Sequence, residues 1–195
     1  MMSAGVGITD RAQLTASVPF YQTSSQGTST RGLDDVYISA KYNLLDPTLT
    51  ISEVGLAVSP VVEVLSGVPD DRLHFAIPVT LEIRRRPFRT YGSVGYFTRG
   101  ALFSGGALEW TSVHGVTLTG SMTHSYSAKN DVMLDQLAVS RQRADVSFGV
   151  GYPLTRTAAT SVSIGRSLTS VDQGGTSLAL SGGVSFTFAA AASRP

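Results

Sequence analysis

Apolar and polar residues alternate with period two along most of the chain. From Ala12 to Phe20 the even positions are Ala12, Leu14, Ala16, Val18 and Phe20, set against Gln13, Thr15, Ser17 and Pro19. From Val36 to Leu44 the even face reads Val36, Ile38, Ala40, Tyr42 and Leu44, and the odd face Tyr37, Ser39, Lys41 and Asn43. Leu73 to Ile83, Val116 to Ser127, Val146 to Tyr152 and Leu178 to Phe188 repeat the rule, with Ser, Thr and Gly filling most of the polar positions. Alternation of this length is the signature of strands with one apolar face, because successive side chains of a strand point to opposite sides. It predicts strands near 2–8, 12–21, 35–45, 49–65, 73–84, 88–98, 102–113, 116–127, 144–154, 158–169 and 177–188.

The connections alternate in size. Short ones fall at Thr9-Asp10, Asp46-Pro47-Thr48, Arg86-Pro87, His114-Gly115 and Thr155-Arg156-Thr157. Longer or more polar ones run over Gln22–Asp34, Ser66–Arg72, Arg99–Gly106, Ala128–Arg143 and Ser170–Thr176. This is the spacing of antiparallel hairpins with tight turns on one rim and loops on the other.

Composition decides what kind of sheet this is. In 195 residues there are 25 Ser, 20 Thr and 20 Gly, together one third of the chain, while only 15% of residues are charged. A soluble domain carries about 25% charged residues, so the polar faces lack the Lys and Glu that normally meet water. Net charge is +1 with the basic residues scattered, which leaves no footprint for nucleic acid. With no Cys, disulfides, thiolate chemistry and Cys-ligated zinc are excluded. No segment approaches the ~20 apolar residues of a membrane-spanning helix. Strands near the 9–11 residues that cross a bilayer at a tilt favour another kind of membrane protein. So do Phe, Tyr and Trp at strand ends (Phe20, Tyr21, Tyr42, Phe88, Tyr91, Tyr96, Phe97, Trp110, Tyr126, Tyr152, Phe186, Phe188). The fold expected is all-β: an antiparallel up-and-down transmembrane β-barrel, with a soluble all-β sandwich as the alternative.

About eleven strands are visible. Single-chain bacterial barrels have an even number, and Met1–Asp10 shows no secretory signal. The expectation is one barrel domain over 1–188 and a short tail over 189–195. It includes a twelfth strand and a signal peptide preceding Met1, and a place in the bacterial outer membrane.

Gly7-Ile8-Thr9-Asp10-Arg11, Leu14 and Val18-Pro19-Phe20-Tyr21, then Gly32-Leu33-Asp34-Asp35-Val36 with Ala40-Lys41-Tyr42, resemble an outer-membrane transporter family. It is the one labelled as the MetA pathway of phenol degradation. Gly149-Val150-Gly151-Tyr152-Pro153-Leu154-Thr155 is a fainter echo, and Asp34-Asp35 stands where that family usually has Gly-Asp. The resemblance implies a channel or transporter for small solutes, aromatic or hydrophobic ones among them, and brings no catalytic residues. Gly183–Phe188 likewise resembles the closing strand read by the barrel-insertion machinery, although Ala189–Pro195 extends beyond it.

Charged residues on the predicted lumen face are Lys41, Glu53, Glu63, His74, Glu82, Arg99, Glu109 and Asp145. Two readings stand: a mixed-charge constriction that selects solutes, and a salt-bridged interior that fills the barrel. His74, His114 and His124 lack metal-ligand spacing, so no metal site is expected. Barrel enzymes that cut lipids set a His and a Ser two residues apart on one outward face. Here Ser125 and Ser127 alternate away from His124, and position 126 is Tyr. No catalysis and no cofactor are expected; the partners expected are membrane lipid and a small solute. A structural or adhesive barrel acting through its loops is the second functional alternative.

Overall fold

In a computed structural model the described residues are 2–18, 20–25, 28–33, 35–46, 53–65, 72–98, 100–128 and 140–187. They form antiparallel strands and one turn of 3-10 helix, η1 (Val171–Gln173). The strands are β1 (Met2–Gly7), β2 (Ala12–Val18), β3 (Phe20–Ser25), β4 (Thr28–Leu33) and β5 (Val36–Leu45). Next come β6 (Val54–Val58), β7 (Val61–Val64), β8 (Leu73–Ala76), β9 (Val79–Arg85) and β10 (Phe88–Phe97). The last five are β11 (Ala101–Thr111), β12 (Thr117–Ser127), β13 (Gln142–Pro153), β14 (Ala158–Ser167) and β15 (Ala179–Phe186).

One sheet runs in the order β1-β2-β5-β6-β9-β10-β11-β12-β13-β14-β15, with β7 and β8 continuing the β6 and β9 spans on the same ladder. Each span pairs with its chain neighbours, which is an up-and-down meander. Two expected strands are interrupted, and proline is the cause. The 49–65 span resumes after Ser59-Pro60 and the 73–84 span after Ile77-Pro78. Proline has no N–H to give the ladder, so pairing stops and restarts beside it. The Pro60 and Pro78 carbonyls still accept, from Ala40 N and Ser59 N, each at 3.0 Å.

Two local expectations change, and a third falls outside the described residues. The polar Gln22–Asp34 stretch is not an open loop, because β3 and β4 pair over it as a small hairpin. Gln22 to Arg31 are nearly all Ser, Thr, Gln and Gly, so the pair carries no apolar alternation for a sequence to show. The Arg99–Gly106 connection is a tight turn ending at Gly100, whose φ of 92° suits glycine, and β11 starts at Ala101. The residues between Asp46 and Glu53 lie outside the described ones, and the strand expected from 49 is described from Val54.

The distribution of apolar side chains is the reverse of a soluble protein. Among the described residues only Ala57 and Ala76 are buried apolar ones, whereas Val162 is 63% exposed, Phe186 64% and Leu180 73%. The chain exposes 13911 Å², against about 8,900 Å² for a compact soluble protein of this mass. Among the described residues extensive contacts join ladder neighbours only, so no described element covers the apolar face as a second layer. That is not the arrangement of a sandwich, in which two sheets pack face to face. Exposed Tyr42, Phe88, Trp110, Tyr152 and Phe186 mark the apolar face near the tight turns, and Tyr96 and Tyr126 mark its loop end. Phe88 to Tyr96 spans about 27 Å along the strand at 3.4 Å per residue, or about 20 Å across a layer at a 40° tilt. Tyr91 and Phe97 do not belong to this belt, because alternation turns both to the polar face.

Among the described residues β1 and β15 are the edges of the sheet. Eleven up-and-down spans make these two run in the same direction.

Ile164, on β14, is 49% exposed on the apolar face, and Ser163 faces the other way. Ile164→Lys is expected to lower stability in lipid by about 2–4 kcal/mol, the cost of a cation on a lipid-facing strand near mid-depth. Ser163→Lys should cost much less, both measured by urea unfolding from vesicles. Equal effects would contradict the assignment of faces.

Candidate functional site: the polar face of the sheet

The face opposite the apolar one is continuous because the registers are in phase. Glu82 stands across from Tyr91, Arg89 across from Arg84 on one side and Glu109 on the other, and Ala107 across from Ser121. From Ser121 the row continues to Ser147 and Gly165, and Thr123 leads to Asp145 and Ser167.

Two walls of different chemistry result. The polar positions of β12 to β15 are almost all Ser, Thr and Gly, joined by hydroxyl pairs such as Ser121–Ser147 and Ser163–Ser181, both at 2.7 Å. The polar face of β5 to β11 carries the charges and the aromatic rings. There, Phe97 and Phe103 pack with centroids 5.5 Å apart. Gly95 lies beneath Phe103, and a Cβ at that position would overlap the ring.

The charged residues gather around Arg89. Its Nε and Nη2 donate to the two oxygens of Glu82 at 2.8 and 3.2 Å, and its Nη1 donates to Glu109 at 3.1 Å. Its guanidinium lies 4.9 Å from the Tyr91 ring centroid, and the Tyr91 hydroxyl donates to Glu109 at 3.2 Å. Arg84 also donates to Glu82. Arg is the residue suited to this, because its planar fork can serve two carboxylates and a ring at once. The cluster ties β9, β10 and β11 together beside a wide recess of about 1590 Å³ at the tight-turn rim. Arg85 and Glu53 pair across that rim at 2.9 Å, both largely exposed, and such a pair contributes little to stability.

Of the residues expected on the lumen face, Glu82 and Glu109 meet in this cluster. Lys41 lies on the same face of β5 and shares a small recess with Asn43, Glu82 and Arg84. Glu53 sits on the rim rather than on a strand. Glu63 is 3% exposed, accepts from the Tyr37 hydroxyl at 2.8 Å and stands across from His74. Asp145 accepts from Arg143 Nε at 2.9 and 3.1 Å and from Ser167. Arg143 Nη2 and Ser167 Oγ hold Thr176 in turn, at 3.1 and 2.8 Å, so the β14–β15 loop is fastened to the wall. Arg99 lies outside the described residues.

Arg89 is the residue that sequence reasoning missed. It follows the Arg84–Arg86 run and reads as part of a solvated turn, yet alternation from Tyr91 places it on the polar face. Ser125 and Ser127 do alternate away from His124. The register instead sets Ser104 across from His124 on the apolar face, with no hydrogen bond between the two side chains. Among the described residues no group of three His, Asp or Glu side chains is arranged to hold a metal.

A solved structure of the NanC porin, in a rhombohedral crystal form, matches this fold with a TM-score of 0.62 at 11% identity. The match covers 95% of this chain and 97% of that chain. The chain has a porin-like β-barrel fold. No family model matches the chain, and no curated protein matches it in sequence. The resemblance to the phenol-degradation transporter family therefore stands on its own residues, while the structural likeness is to a porin.

Removing the Arg89 side chain leaves Glu82 and Glu109 facing each other without their shared cation. On the channel reading proposed below, Arg89→Ala should shift the reversal potential under a salt gradient toward cations severalfold in permeability ratio. An unchanged ratio would place the cluster outside the ion path.

Proposed function

We propose that the chain is a channel of the bacterial outer membrane, passing small solutes along the polar face of a β-barrel. The observation that carries this is the inverted arrangement: an apolar face left open, and a polar face on which hydroxyls and paired charges line up row after row. Hydrocarbon is the solvent that tolerates the first, and it requires every backbone group to be paired sideways, as a barrel does. The likeness to a porin supports the same reading. Tight turns would lie on the periplasmic rim and the longer loops outside. Membrane lipid, a solute and the barrel-insertion machinery are the partners in this proposal; catalysis and a cofactor have no part in it.

The solute class follows from the polar face. Its charges balance, Lys41, Arg84, Arg89 and Arg143 against Glu63, Glu82, Glu109 and Asp145, so the field is weak and small polar molecules should pass with little charge preference. Aromatic solutes are the finer part of the proposal, supported by the family resemblance and by Tyr91, Phe97 and Phe103 on the polar face, not by the porin likeness. The ring closes, on this reading, through a twelfth strand antiparallel to both β1 and β15.

Refolded protein in planar bilayers should carry steady current, and unboiled protein should run more compactly than boiled protein on gels. A heat shift without current would favour the filled, structural barrel. A folded chain that stays in solution without detergent would overturn the proposal. Swelling rates of vesicles in benzoate and in a sugar of similar size test the aromatic preference; equal rates would remove it. Cysteines at Gly5 and Ser181 test closure, since a disulfide between them needs Cα atoms within about 7 Å and an intervening strand holds them farther apart. Ready disulfide formation would replace the twelfth strand with direct pairing of the edges.

A further inference from the structure

We propose that the outer wall of β11 to β14 is a binding site for a membrane lipid with a phosphate-bearing headgroup. The proposal rests on the membrane reading above.

Two cavities on the apolar face meet at His124. The lower one, about 670 Å³, runs over Gly106 and Gly120 between Leu108 and Met122. The register sets Gly106 across from Met122 and Gly120 across from Leu108, so the missing side chains leave a trough between the bulky ones. The upper one, about 390 Å³, lies at the loop end, and Gln142, Thr169 and Gln173 line it with His124. Its shape is fixed by hydrogen bonds. Ser140 N donates to the Gln173 carbonyl at 3.1 Å, and Thr169 Oγ1 accepts from Ala144 N at 3.3 Å while donating to the Gln142 carbonyl at 3.4 Å. An apolar trough opening into a polar cavity at one end of the membrane layer has the polarity of a lipid. From Gly120 to His124 is about 14 Å along the strand, or about 10 Å across the layer at a 40° tilt, so the trough covers about two thirds of a bilayer's hydrocarbon half-thickness.

Charge indicates which lipid. Arg166 alternates with Ile164 and Leu168, so it too faces the lipid. Arg166 stands across from Val146 and lines a neighbouring recess of about 490 Å³ with Phe148, Ile164 and Leu178; on the same face the next residues along are Ala144 and Leu168, which line the upper cavity. Its Nε donates to the Ser167 carbonyl at 3.4 Å; its terminal nitrogens, and the His124 ring, have no partner among the described residues. Asp145 turns to the opposite face; Asp172 lies between the lining residues Ser170 and Gln173 without lining the cavity itself. A guanidinium and an imidazole on a lipid-facing wall are complementary to a phosphate, which Arg binds through two parallel N–H donors.

The test uses the full chain refolded in dodecyl maltoside and native mass spectrometry, with three probes. Dioleoylphosphatidylglycerol has chains and phosphate, dioleoylglycerol the same chains without phosphate, and glycerol 3-phosphate the phosphate without chains. Only the first should be retained. His124→Ala with Arg166→Gln should reduce its retention by tenfold or more, since even one lost charge-assisted hydrogen bond is on that scale. Gly120→Leu should do the same by filling the trough, since nothing lies within 4 Å of a Cβ there. Equal retention of dioleoylglycerol, binding of glycerol 3-phosphate alone, or retention unchanged in both variants would each overturn the site. Heat-shifted gels and bilayer currents of the same variants keep the two proposals apart. Variants that conduct normally and retain lipid like the parent overturn the lipid site alone, whereas a parent chain that forms no heat-modifiable barrel overturns both.

Discussion

The backbone ladder between neighbouring strands is the constraint on which the rest of this structure depends. A strand crossing hydrocarbon has no water to satisfy its amides, so each must find a partner in the next strand. Once the ladder is set, alternation leaves each side chain one face, and a slip of one residue would reverse a whole strand. From β9 to β15 the ladders run without a slip; the one register shift among the described residues is between Asn43 and Leu45 at the β5–β6 pair. The cluster around Arg89 exists because of this. Arg89 meets Glu109 and Glu82 because three strands hold them in phase, with no loop placing any of them.

The same ladder explains how a chain with almost no buried core can hold one shape. Burial of apolar side chains inside the protein, the usual driving force, is nearly absent here. Transfer of the apolar face from water to lipid takes its place, while the polar face is held by hydroxyl pairs and ion pairs between side chains of neighbouring strands. Charges on that face balance, and those paired around Arg89 fix positions across strands. The balance also leaves the wall close to neutral, unlike a strongly charged filter. The hydroxyl wall of β12 to β15 and the charged, aromatic wall of β5 to β11 give a solute two different surfaces to meet.

Much of this is legible in the sequence because period-two alternation is a direct record of two solvents on two faces. The strands from Phe88 to Phe186 can be read in order, apart from the start of β11. There Ser104, Gly105 and Gly106 offer little contrast between faces, which hides where the strand begins. The β3–β4 hairpin is hidden because both of its faces are polar. The Pro60 and Pro78 breaks are visible as residues, but their alignment across neighbouring spans is a matter of register. The charged set on the polar face follows from alternation; its pairing does not. Arg89 is masked by the arginine run beside it, and the placing of His124 across from Ser104 and Ala144 depends on three strands at once.

The central claim is that the apolar face meets lipid and the polar face does not. The natural absence of cysteine allows single cysteines to be placed at each position from 160 to 165 on β14 and labelled with a small fluorophore in vesicles. Brominated lipid should quench the label at 160, 162 and 164 and spare it at 161, 163 and 165. Quenching without that period, or with the opposite phase, would contradict the account.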